Sequence, residues 1–233
     1  MDERFYSIAS LIFATFFFVL LFRLYFKERS SKDFDYSRLV ARAAIFGGIS
    51  TVLYVVPIFQ IHLPFFPSFL AIHFDEIPLF IAGFAYGPLT AFVVLCVKTL
   101  IKLPLTSTLC VGEITDFLLS ALFILPAAII YKKKRTLQGF FIGAAVGLLC
   151  QNVGALLLNI YVMLPFYIFV MGFQESQLLA LCQMANASVS DLGWSYGFYC
   201  VLPLNLLKDA LVLLATFFVY KALHKALRFE GKK

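Results

Sequence analysis

Charge is what this sequence has least of. Lys, Arg, Asp and Glu make up 14% of its 233 residues, where a soluble domain carries about 25%. Hydrophobic residues reach 62% and the mean hydropathy is +0.92. So few polar side chains cannot cover a water-facing surface, which excludes a soluble globular domain and leaves lipid as the solvent for most of the exterior. Histidine is nearly as scarce, with three residues, and there is one tryptophan. The five cysteines, Cys96, Cys110, Cys150, Cys182 and Cys200, are odd in number and include no C-x-x-C pair. Their spacing therefore offers no zinc or dithiol motif, and they read as apolar filler. No G-x-x-x-x-G-K-[ST] motif occurs, so P-loop ATP hydrolysis is excluded. Short repeats and low-complexity tracts are missing as well.

What is present in quantity is apolar chain. A membrane-spanning helix needs about 20 mainly apolar residues. Residues 5–26 form the first such run. Asp2 and Glu3 precede it and no small-residue cleavage site follows, so it reads as an uncleaved anchor rather than a signal peptide. Residues 40–60 form the second run. Residues 74–101 form a longer one that Gly87-Pro88 breaks into two short helices joined by a tight turn. Residues 113–131, 139–164 and 200–223 follow. Residues 165–199 read as a loop with a short helix over 175–187. The expected architecture is an all-α integral membrane protein, with an anchor and basic linker over 1–35 and a six-helix membrane domain over 36–233.

The basic residues orient this arrangement. Fifteen of the 19 Lys and Arg fall into three clusters: Arg23, Lys27, Arg29, Lys32, Arg38 and Arg42; Lys132, Lys133, Lys134 and Arg135; and Lys221, Lys225, Arg228, Lys232 and Lys233. The positive-inside rule puts all three in the cytoplasm. The topology then closes, with the C-terminus inside and the segments 61–73 and 165–199, which hold no Lys or Arg, outside. The net charge of +6 is explained by orientation in a cell membrane and needs no nucleic acid.

Three short patterns could carry other chemistry. Gly193-Trp194-Ser195-Tyr196-Gly197 matches G-x-S-x-G, but a nucleophile elbow needs a strand before the serine and a helix after it. The plainer reading is a glycine-flanked aromatic turn. His73-Phe74-Asp75-Glu76, with His62 nearby, offers nitrogen and oxygen ligands, but adjacent residues converge poorly on one ion. The plainer reading sets Asp75 and Glu76 at a helix N-terminus, where carboxylates are favoured. Asn186-Ala187-Ser188 is a sequon of a kind common by chance.

Polar groups inside the apolar runs say more. An ionisable residue at the centre of a membrane helix costs about 2.5–3.5 kcal/mol on insertion scales. Lys98 lies on the fourth run. Glu113 and Asp116 share a face of the next, as do Asn152 and Asn159 of the one after. Asn205, Lys208 and Asp209 cluster in the last. Except for Asn152 they fall towards the outer half, as a polar pocket open to the outside would require. Structural ion pairing of Lys98 and Lys208 with the acids is the alternative. Small residues four apart, Ala43/Gly47 and Ala44/Gly48, permit close helix approach, as do Gly83/Gly87 and the row Gly139, Gly143 and Gly147.

With these residues in view the chain resembles a family. The segments Pro67-Ser68-Phe69-Leu70-Ala71-Ile72-His73-Phe74-Asp75-Glu76-Ile77-Pro78 and Ile81-Ala82-Gly83-Phe84-Ala85-Tyr86-Gly87-Pro88 are similar to the hallmark of substrate-binding (S) components of energy-coupling-factor (ECF) transporters. So are Thr106-Ser107-Thr108 with Val111-Gly112-Glu113, Leu125-Pro126-Ala127, the stretch 159–165 and Leu202-Pro203-Leu204-Asn205-Leu206-Leu207-Lys208. The riboflavin branch is the nearest in pattern. The resemblance implies a six-helix S-component bundle without catalysis or cofactor. It also implies vitamin capture from outside and partnership with a transmembrane coupling protein and two cytoplasmic ATPases. It assigns ligand binding to Asn159, Asn205 and Lys208, with Glu113, Lys98, Phe74 and Asp75 around them. It assigns the coupling face to Ala43, Ala44, Gly47 and Gly48. Three sites depart from the family pattern: His73-Phe74-Asp75-Glu76 replaces Asp-Phe-Ser-Asp, Thr99 replaces Asn after Lys98, and Asp209 replaces the glycine after Lys208. The residues leave other readings open. One is an S component for pantothenate, folate or a queuosine precursor. Others are a membrane-embedded enzyme using Glu113, Asp116 or Ser195, and a scaffold without ligand.

Overall fold

The computed structural model describes residues 35–228 apart from Phe65, Ser68, Phe69 and Ser107, together with the isolated positions Val19 and Arg23; side chains are described as far as Ala222. Apart from Val19 and Arg23, the expected span over 5–26 lies outside the described residues, as do Lys27, Arg29 and Lys32 of the first basic cluster and Lys232 and Lys233 of the third. The chain divides into Met1–Ala41 and Arg42–Lys233. In the first unit Asp35 starts a helix. Its Oδ1 accepts from the Ser37 and Arg38 amides at 2.9 and 3.3 Å, and its Oδ2 pairs with Arg38 at 3.1 Å. A carboxylate here satisfies amides that have no partner within the helix.

That helix is α1, Tyr36–Val55. A connecting segment follows, closed on itself by an antiparallel bridge between Ile61 and Ile72. Next come α2, Glu76–Tyr86, and α3, Pro88–Lys102. The break expected at Gly87-Pro88 is there. Gly87 has φ 106°, a conformation that favours glycine, and Pro88 opens α3, where its missing N–H has no helical partner to lose. Then come α4, Val111–Lys133; α5, Leu137–Leu158; α6, Glu175–Ala185; and α7, Leu202–Arg228. Among the described residues, five helical stretches are long and apolar enough to cross a membrane, and α2 is a shorter apolar helix.

Two boundaries differ from the sequence expectation. Helical structure continues past α5 through π turns at Asn159–Met163 and Phe166–Val170, so the stretch runs Leu137–Val170. The last stretch begins at Trp194 and passes through a π turn at Gly197–Val201 before α7. Pro165 and Pro203 explain both. Each lacks the N–H that continues a ladder, and a π turn shifts the register by one residue around the gap. The loop expected over 165–199 is therefore confined to about 171–193, with α6 inside it.

The apolar core forms around α2. Leu79, Phe80 and Ala82 are wholly buried. Phe80 meets Phe123 of α4 edge-on at 4.6 Å, and Phe84 meets Tyr131 at 4.8 Å and Phe140 at 5.2 Å. The glycine row of α5 packs on α4, as its spacing predicts. A Cβ on Gly143 would lie 2.8 Å from the Ala127 carbonyl oxygen, and one on Gly147 would run into the Phe123 carbonyl.

Candidate functional site

Because α2 is central, the residues at its start are buried with it. Asp75 and Glu76 are each 1% exposed. Two carboxylates in a water-poor interior need cations and hydrogen-bond donors, and neighbouring helices supply them. Lys98 of α3 pairs with Asp75 and, at 2.8 Å, with Asp116 of α4. Lys208 of α7 pairs with Glu76 at 2.9 Å and approaches Asp209 to 3.6 Å. Ser120 of α4 donates to Glu76 at 3.0 Å, and Asn152 of α5 donates to Asp209 at 2.9 Å. Ser50 of α1 donates to the Asp75 carbonyl at 2.6 Å. One polar network thus takes a residue from each of α1, α2, α3, α4, α5 and α7.

Aromatic groups border it. The Lys98 ammonium lies 4.5 Å from the centre of the Tyr54 ring, and Lys102, one turn further along α3, lies 5.3 Å from the same ring. Such cation–π contacts hold a cation without neutralising it. His73 meets Tyr54 edge-on at 5.3 Å, and burial pushes its imidazole below the ordinary value.

The structure gathers some of the expected site residues and separates others. Asp75, Lys98 and Lys208 join the network. Asn205 precedes Lys208 by one turn and is partly buried, and its amide donates to the Val201 carbonyl. Asn159 is buried and donates to the Ala155 carbonyl. Both asparagines hydrogen-bond within their own helix. Phe74 is half-buried beside Asp75. Glu113 faces the turn before α4, where its Oε2 accepts from the Thr106 and Thr108 hydroxyls at 2.6 and 2.9 Å. Glu113 and Asp116 share a helix face but serve different partners. Asp75 and Glu76 do begin a helix, yet Asp75 makes no side-chain cap there, and both carboxylates turn to lysines.

The four small residues of α1 split into two sets. Ala43 and Gly47 are buried, with a Gly47 Cβ 2.8 Å from Val97. Ala44 is exposed and Gly48 partly exposed, and a Cβ on Gly48 would meet nothing within 4 Å. Ser195 has a structural role: its hydroxyl accepts from the Ser190 amide at 2.9 Å. Glu76, Asp116, Asp209, Asn152 and Ser50 are network members to which the resemblance assigned no ligand binding. Asp116, Asp209 and Asn152 stood out as polar groups in apolar runs, and Glu76 as a carboxylate at a helix start. Nothing in the sequence marks Ser50, because its partner is a backbone carbonyl.

A helical membrane bundle with a buried polar centre is an arrangement that can hold a polar solute. The family comparison agrees. The model of the ECF transporter substrate-specific component matches residues 38–220, and the chain belongs to that family. It is a transporter component and not an enzyme. A Staphylococcus aureus protein named riboflavin transporter RibU is 30% identical over 119 residues, 51% of this chain and 63% of that protein. The Bacillus subtilis riboflavin transporter FmnP is 25% identical over 74% of this chain and 86% of its own length. Streptococcus thermophilus RibU is 24% identical over 97% of this chain and 99% of its own. A solved S component of a bacterial ECF transporter superposes with a TM-score of 0.64 at 23% identity, covering 83% of this chain and 99% of that one. The chain shares that fold and is a multi-pass membrane protein.

Proposed function

We propose that this protein captures riboflavin, or a closely related flavin, from outside the cell and presents it to an ECF module. The module comprises a transmembrane coupling protein and two cytoplasmic ATPases, which supply the energy this chain has no motif to harvest. Riboflavin is cargo here, and the reading requires no cofactor. Residues 36–233 form the binding domain and 1–35 an anchor with a basic linker. The C-terminus lies in the cytoplasm, as the basic clusters favour.

The observation that carries the reading is the buried network at Asp75, Lys98 and Lys208, together with relatives named as riboflavin transporters along most of the chain. An isoalloxazine ring has an imide edge that both donates and accepts, and an apolar face. Asn159 and Asn205 supply amides that do both. Lys208 supplies a charged donor, and Phe74 supplies an aromatic face. Lys98 and Asp75 hold the floor of the site. Glu113 holds the turn over residues 106–112 at its rim. The outward-facing Ala44 and Gly48 on α1 meet the coupling protein, while Ala43 and Gly47 seat α1 against the bundle.

The test is a riboflavin titration of the detergent-purified protein, followed by quenching of flavin fluorescence. The expected result is saturable binding near one flavin per chain. Asn205→Ala and Lys208→Met weaken it by about 10–100-fold, the loss of a hydrogen bond worth roughly 1.5–3 kcal/mol. A folded protein that neither carries nor binds flavin overturns the riboflavin assignment.

A further inference from the structure

Asp209 has no part in the binding of flavin proposed above, yet it stands next to a residue that does. It is 0% exposed on α7, beside Lys208, the charged donor of that proposal. Neighbours on a helix point about 100° apart, so the two side chains leave α7 on different sides. Lys208 reaches α2, where it donates to Glu76 at 2.9 Å. Asp209 turns to α5, where its Oδ2 accepts from the Asn152 amide at 2.9 Å. Asn152 has little freedom of its own. The same nitrogen donates to the Leu148 carbonyl at 2.9 Å, so both its hydrogens are spent. Glu76 is fixed as well, because Ser120 of α4 donates to it at 3.0 Å. The Lys208 ammonium thus lies between two carboxylates, each held from behind by a different helix.

The two carboxylates hold it differently. Glu76 takes a hydrogen bond. Asp209 Oδ1 lies 3.6 Å from Lys208 Nζ, beyond hydrogen-bond reach, and accepts no hydrogen bond among the described residues. It acts on Lys208 through charge, which is strong in a water-poor interior and spends none of the three N–H groups of an ammonium. Lys98 is the contrast. It donates to both of its acids, Asp75 and Asp116, and its side chain is 0% exposed. The Lys208 side chain keeps 11% exposure, against 2% for Glu76 and 0% for Asp209, so the ammonium is the open member of its group.

We propose that Asp209 is a positioning residue for ligand capture: its charge draws the Lys208 ammonium away from Glu76 and keeps an N–H group free for an acceptor on the edge of the flavin ring. The inference rests on the reading of Lys208 as a ligand donor. Without the Asp209 charge the ammonium settles on Glu76, and the ligand has to compete with a buried carboxylate for it.

The experiment is a double-mutant cycle on riboflavin affinity, read by quenching of flavin fluorescence with the full detergent-purified chain. Asp209→Asn keeps the size of the side chain and an oxygen for Asn152, so it removes the charge and little else. In the parent it should weaken riboflavin binding about tenfold. In a Lys208→Met background the same change should move the affinity less than about twofold, because the residue it acts through is gone. An equal fold loss in both backgrounds overturns the role, since Asp209 would then only support the bundle. Unchanged or tighter binding by Asp209→Asn in the parent overturns it too. Lys208→Met leaves Glu76 buried without its cation. If that chain loses its monodisperse peak, the cycle is run in Glu76→Gln, Lys208→Met, which strands no carboxylate at position 76. Failure of the underlying reading looks different. If riboflavin binds and Lys208→Met does not weaken it, the role of Asp209 falls while flavin capture stands. A parent chain that binds no riboflavin removes both.

Discussion

Lys98 stands between carboxylates from two different segments, Asp75 before α2 and Asp116 on α4, and none of the three is more than a quarter exposed. Removing the cation leaves two buried charges facing each other, and breaking a buried pair from one side costs about 3–5 kcal/mol. Lys98→Met should therefore lower the thermal midpoint of the detergent-purified protein by many degrees. Asp116→Asn should do much less harm, because Lys98 keeps Asp75 and the amide still accepts a hydrogen bond. A melting series of the two variants checks the order. An equal loss in both would mean that the pairs do not hold the bundle together. The residues were legible in the sequence as costly ions in apolar runs, and so was pairing of Lys98 and Lys208 with acids such as Asp116 and Asp209, but the pairs with Asp75 and Glu76 were not. Spacing joined Glu113 to Asp116 and Asn152 to Asn159, since each pair shares a helix face. The structure gives Asp116 to Lys98, Glu113 to threonine hydroxyls and Asn152 to Asp209. Periodicity shows which face of a helix a residue occupies, whereas its partner is set by the helix opposite, which one-dimensional spacing does not contain.

At the scale of elements, strong local rules were readable and weak ones were not. Gly87-Pro88 marked the α2–α3 turn because glycine alone takes its backbone angles cheaply and proline cannot continue a helix from within. Pro165 and Pro203 do not end their helical stretches, because neighbouring π turns let the helical path continue past the bounds expected at 164 and 200. The short helix expected over 175–187 is α6, Glu175–Ala185. The glycine row of α5 is the element most exposed to mutation. At Gly147 the α4 backbone itself occupies the place of a Cβ, so no rotamer relieves the clash. Gly147→Ala should cost about 1–3 kcal/mol, the usual range for overpacking, and Gly147→Leu should abolish the monodisperse peak in size-exclusion chromatography. Gly172 has a positive φ, which strains an alanine there by about 1–2 kcal/mol, but it has open space at its Cβ, so Gly172→Ala should lower the melting midpoint modestly and keep that peak.

For the whole molecule, α1 has two jobs on two faces. Its inner face is bound to the polar centre: Ser50 holds Asp75, Tyr54 lies against Lys98, and Gly47 lets α1 close on Val97. Its outer face presents Ala44 and Gly48 among exposed Ile45, Ile49 and Val52, and among the described residues nothing packs over this face. Small residues on an exposed membrane face let a second helix approach closely, and the coupling protein is the proposed occupant. The two glycines, one position apart, separate the jobs. Leucine at Gly47 has to displace Val97, so Gly47→Leu should damage folding and flavin binding together. Leucine at Gly48 has open space, so Gly48→Leu should leave the melting midpoint and the riboflavin affinity unchanged. In cells that carry the ECF module, however, Gly48→Leu should abolish flavin uptake, because the added side chain stands where the partner helix must come. Normal uptake with Gly48→Leu would place the coupling contact elsewhere on the bundle, and a parallel loss of flavin affinity would mean that α1 has one function rather than two.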